Sequence, residues 1–73
     1  MATSPINDVT AVAIRQALAA ASAGRLADAC AVGERALVQG GDVAALNAML
    51  GMLRSKAGDH ARALEHLRAA NKA

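Results

Sequence analysis

A chain of 73 residues makes one small domain that buries only roughly 60% of the surface its unfolded form exposes, so its core is thin. Hydrophobic residues make up 55% of it and aromatic residues 0%; apolar material that is mostly Ala and Leu favours helices over sheet. Eight basic against six acidic side chains leave a net charge of +2, weak grounds for nucleic-acid binding, and the single cysteine, Cys30, excludes an internal disulfide framework and fits a reducing cytoplasmic setting.

Residues 1–8 lack the basic and apolar segments of a secretory signal. The apolar run at 9–23 is broken by Arg15 and Gln16 and is shorter than the about 20 residues that span a bilayer. A soluble, cytoplasmic chain with no membrane partner is expected. Ser4 before Pro5 reads as a helix start, the hydroxyl free to cap and Pro at the first helical position. The first helix is expected at about 5–23, ended by Gly24, which adopts a left-handed backbone without steric cost. A second helix follows at about 26–39, and Gly40-Gly41-Asp42 closes it and caps a third at about 43–57. Gly58 ends the third helix, and Asp59 caps a fourth that runs to about residue 71. On that last helix Arg62, Glu65 and Arg68 stand at three-residue steps, a spacing that brings opposite charges together for about 0.2–0.5 kcal/mol per pair. A solvated helix face is a sufficient reading of that pattern.

Sliding the sequence along itself until Gly24 lies on Gly58 also lays Ala23 on Ala57, Ala27 on Ala61, Ala29 on Ala63 and Ala36 on Ala70, with Ala17 falling on Gly51. Two helix-turn-helix units are therefore expected, a first hairpin at about 5–40 and a second at about 43–73. Leu50-Gly51, Gly58-Asp59, Ala63-Leu64, Leu67 and Ala70 of the second unit, with Ala17, Gly24, Ala29, Ala36 and Leu37 of the first, resemble the tetratricopeptide repeat family. The resemblance covers about residues 9–73. Small residues at Ala17, Ala29, Gly51 and Ala63 suit places where helices approach closely. Ala13, Ala20, Asn47 and Arg54 hold positions at which the family carries large aromatic residues, Gly33 stands where a large apolar residue is usual, and Gly41 replaces a closing Pro. These losses are expected to weaken the packing without disturbing the spacing.

The resemblance implies an all-α fold of two antiparallel hairpins, about four helices, stacked as a short right-handed solenoid. It implies an interaction module, not an enzyme, with the first helix of each hairpin lining a concave groove for a partner peptide or helix. The groove residues it assigns are Ala11, Ile14, Leu18 and Ser22 from the first hairpin and Ala45, Ala48, Met49, Met52 and Lys56 from the second. Some family members hold an acidic carboxylate with Lys and Asn in the groove; Ile14, Leu18 and Met49 occupy those positions here, which argues against such a clamp. Flexible, polarizable Met49 and Met52 suit an amphipathic helix, the alternative being that both belong to the inter-helix core. The turns Ala23-Gly24-Arg25 and Ala57-Gly58-Asp59 are also similar to N-terminal segments of bacterial glycosyltransferases and sulfotransferases that modify proteins. With the second unit ending about four residues short of a full repeat, the chain is read as the recognition part of a larger enzyme of that kind.

No catalytic, cofactor or metal site is expected. His60 and His66 are six apart and point to different faces of one helix, so they do not pair as zinc ligands. Cys30 falls at an apolar position and reads as a buried small hydrophobe. Ser4, Ser22 and Ser55 lack a strand-to-helix nucleophile turn, and Gly40-Gly41-Asp42 lacks the strand and Lys of a phosphate loop. Arg54, Lys56, Arg62, Arg68 and Lys72 make the second half basic, yet no aromatic residue is present to stack on bases; a nucleic-acid or anionic-surface binder is a minor alternative. The first alternative to the interaction module is a small homo-oligomerisation module, because two hairpins are fewer than the about three repeats that usually stand alone. Ala63, Leu67 and Ala70 form the stripe expected to pair in a homodimer.

Overall fold

The computed structural model describes the backbone of residues 5–72 and the side chains of residues 9–72. It contains four helices, α1 (Pro5–Ser22), α2 (Leu26–Val38), α3 (Val43–Lys56) and α4 (His60–Lys72), with no strand among the described residues. The chain is all-α, as its composition requires. The cap expected from Ser4 lies outside the described residues.

All three connections use one device. The Gly24 N–H donates to the Ala21 carbonyl at 3.0 Å and the Arg25 N–H to the Ala20 carbonyl at 2.8 Å; Gly40 and Gly41 repeat this onto Leu37 and Ala36, and Gly58 and Asp59 onto Ser55 and Arg54. Such a closure satisfies the last helical carbonyls but needs a left-handed residue at its centre. Gly24, Gly40 and Gly58 supply it, with φ of 82°, 91° and 85°. The first and third closures match donor for donor and acceptor for acceptor at the spacing that separates Gly24 from Gly58. Helix ends Ser22 and Lys56, and helix starts Leu26 and His60, stand the same distance apart along the chain. The repeat seen in the letters is thus present in the backbone.

Helix starts are less regular. The Asp42 carboxylate accepts the Ala45 N–H at 3.0 Å and the Asp59 carboxylate accepts the Arg62 N–H at 3.2 Å, both as expected. Arg25, at the start of α2, makes no side-chain cap bond. Arg62 also forms an ion pair with Asp59 at 3.6 Å, not with Glu65 as its helix spacing suggested, because the cap already holds the Asp59 carboxylate over the first turn.

Short connections fold α1 against α2 and α3 against α4 as antiparallel hairpins, and the hairpins join through α2 on α3 and α1 beside α3. Among the described residues α4 touches α3 alone. α3 is therefore the one helix in contact with the other three, and it carries the large core residues Leu46, Leu50 and Leu53, each fully buried. They pack on small residues of the first hairpin: Ala13, Ala17, Ala29, Cys30 and Ala36. Burying one leucine contributes about 1.5–3 kcal/mol, so this small-against-large arrangement supplies much of the core.

The family departures look different once the helices are in place. A Cβ added at Gly33 would lie 2.8 Å from the Leu50 side chain and 3.1 Å from that of Met49, and one at Gly41 would lie 2.6 Å from Leu46 and 3.0 Å from the Ala36 carbonyl. Gly33 is no packing loss; it is the notch that admits Leu50. Asn47 is buried, donates to the Val43 carbonyl at 2.9 Å and accepts on its amide oxygen from His66 Nδ1 at 2.8 Å, a bond that ties α3 to α4. Arg54, mostly buried, pairs with Glu34 and ties α3 to α2. The Thr10 hydroxyl accepts the Asp42 N–H at 2.8 Å and fastens α1 to the turn between hairpins.

Candidate interaction groove

On α1, positions 11, 14, 18 and 22 fall within one side of the helix, and on α3 positions 45, 48, 52 and 56 do the same. Because α1 lies beside α3, the two sides form the walls of one surface. At its closed end is a hollow of about 310 Å³ lined by Leu18, Ala21, Ser22, Leu26, Met52, Leu53 and Lys56. The structure thus brings together Leu18, Ser22, Met52 and Lys56 of the nine residues assigned from sequence. Ala11 and Ala48 are exposed along the same walls, and Ile14 and Ala45 are half-buried, Ile14 leaning on the core.

Met49 is a correction. It is only 7% exposed and its methyl end sits at the Gly33 notch, so it belongs to the α2–α3 contact and not to the groove. The turn of about 100° per residue explains this: Met49 and Leu53 look toward α2, while Met52 looks outward. Met52 and Leu18, each 43% exposed, are the large apolar residues left for a ligand. Sequence reasoning missed Ala21, Leu26 and Leu53. It drew the groove from the first helix of each hairpin alone, whereas the tight Gly24 turn brings the first residue of α2 beside the end of α1.

Among the described side chains α1 carries Arg15 and α3 carries Arg54 and Lys56, with Arg54 engaged by Glu34; the sequence adds Asp8 in the first part of α1. Lys56 is the charged group on the hollow. A second hollow of about 360 Å³ opens between α1 and α2, with Val9, Val12 and Val32 on its walls and Arg35 and Gln39 at its rim; it shares no residue with the first.

The stripe expected on α4 is only partly open. Ala63 is buried, Ala70 is half-buried, and Leu67 lays its side chain over Gly51, whose added Cβ would lie 2.7 Å away. Ala63 and Ala70 face α3 inside their own hairpin, and Leu67 lies at the edge of that contact, touching Gly51 while 44% exposed. The open face of α4 is turned toward Leu64, which is 49% exposed.

Nothing in the described residues assembles reactive groups. Cys30 is buried in the core, His66 is held by Asn47, His60 is exposed, and no three His, Cys, Asp or Glu side chains gather as metal ligands. No described helix is long and apolar enough to cross a membrane. Comparison of the chain with protein-family models, with curated proteins and with solved structures finds no match in any of the three.

Proposed function

We propose that this chain is a protein-interaction module of the tetratricopeptide type, acting in the cytoplasm without chemistry of its own. It seats an apolar helix or extended segment of a partner protein along α1 and α3. The observation that carries this reading is the hollow between Leu18, Leu26 and Met52, in which two large apolar side chains are nearly half exposed beside Ala21, Ser22 and Lys56. Recognition of this kind places apolar anchors at one-turn spacing into a groove, and a flexible Met at its floor adapts to their shape. The repetition of turns and helix ends at one spacing and the neighbour-only contacts of α4 support reading the hairpins as consecutive turns of a short right-handed solenoid.

The test uses helical peptides selected for binding to the chain from a random display library. The selected sequences are expected to carry apolar residues at i, i+3 or i+4, and i+7. Replacing Leu18 and Met52 with Asp is expected to weaken their binding by at least about tenfold, since losing two apolar contacts costs more than about 1.4 kcal/mol. The helical circular dichroism should not change, because both side chains are half exposed. Full-strength binding by the double variant would place the peptides elsewhere and reject the groove.

A further inference from the structure

α4 turns to solvent the face by which α2, its counterpart one repeat earlier, is held against α3. On α2 that face is Cys30, Gly33 and Glu34: Cys30 is buried, Gly33 receives Leu50, and Glu34 pairs with Arg54. Moving one repeat on converts these to Leu64, Leu67 and Arg68. Leu64 and Leu67 are 49% and 44% exposed, and Arg68 is exposed. A helix that covered α4 as α3 covers α2 would therefore meet a leucine in place of a glycine and a cation in place of an anion. It would need a small residue where α3 has Leu50, an apolar residue where α3 has Leu53, and an acidic residue where α3 has Arg54.

α4 itself carries that set on its exposed face, as Ala61, Leu64 and Glu65, at the spacing of Leu50, Leu53 and Arg54. We propose that α4 docks antiparallel on α4 of a second copy, forming a two-fold dimer. The register is self-consistent. Leu67 over the second copy's Ala61 is the same pairing as Ala61 under the second copy's Leu67, which sets Leu64 of both copies at the axis. Arg68 then meets Glu65 of the other copy, twice. An interface in which each contact occurs in both directions is what a closed two-fold dimer requires. A single 13-residue helix is about 20 Å long and buries less than a standard stable interface, so the dimer is weak and dissociates on dilution. This pairing uses none of the residues around the Leu18 hollow and does not depend on the groove reading.

Sedimentation analysis over a wide concentration range tests it, and dimer at high concentration giving way to monomer on dilution is expected. Leu64→Glu should weaken association at least about tenfold with unchanged helical content, since Leu64 is half exposed. Glu65→Arg and Arg68→Glu should each weaken it about threefold or more. Mixing those two single variants should restore it, because each supplies the charge that the other lacks. Three results overturn the proposal: a monomer at every concentration, a dimer indifferent to Leu64→Glu, or a dimer dissolved instead by Leu18→Asp, which would place the contact at the groove.

Discussion

Leu50→Ala is expected to remove a large share of the stability of the whole chain. Leu50 is fully buried and its side chain enters the Gly33 notch on α2, so it holds one hairpin on the other. Truncating a buried leucine costs about 2–5 kcal/mol, the higher values where the cavity cannot collapse. Helices already spaced by Ala and Gly have little room to close further. At typical per-residue stabilities, 73 residues support about 4–11 kcal/mol in total. Urea unfolding should show a much lower midpoint with a similar slope, while Leu64→Ala on the open face of α4 should stay within about 0.5 kcal/mol of the parent. Equal effects at the two positions would mean that α2 and α3 are not packed as described.

Gly33→Val tests the same contact from the other side, and the sign of its effect is informative. If the glycine were a vacancy in a repeat pattern that prefers a large apolar residue, filling it would stabilise the fold, helped by about 0.3–0.5 kcal/mol of helix propensity of Val over Gly. The first added carbon, however, meets Leu50 at 2.8 Å and Met49 at 3.1 Å, and a branched side chain adds two more. Overpacking of this kind costs about 1–3 kcal/mol, so a net loss is expected by thermal or urea unfolding. Gly33→Val combined with Leu50→Ala should be less destabilised than the sum of the two single changes, because the valine fills part of the space vacated by the leucine. Strict additivity would contradict direct contact between these positions.

The features that could be read from the letters are those encoded locally. The glycine turns at 24, 40 and 58, the Asp42 and Asp59 caps and the repeat spacing each depend on a few consecutive residues, and all are present in the backbone. What the sequence did not reveal was pairing between elements. Gly33 looked like a missing side chain until Leu50 was seen to supply it from α3, and Asn47 and Arg54 looked like lost aromatic residues until His66 and Glu34 were seen to satisfy them. The groove divided in the same way. Helical spacing grouped residues on one side of α1 and of α3, but the small angular difference between Met49 and Met52 decided which was core, and that depends on where α2 lies. The α4 stripe divided for the corresponding reason: periodicity showed that Ala63, Leu67 and Ala70 share a face, but not that α3 of the same hairpin covers Ala63 and leaves Leu67 at its edge.

The interaction reading is tested most directly by mapping backbone amide shifts of the isotopically labelled chain as a selected helical peptide is added. Shifts concentrated on the residues around Leu18, Ala21, Leu26, Met52 and Lys56, with little change on the outer face of α4 about Leu64, are predicted. Shifts centred on the α1–α2 hollow around Val12 and Val32, or on Leu64, with the α1–α3 surface unmoved, would contradict it.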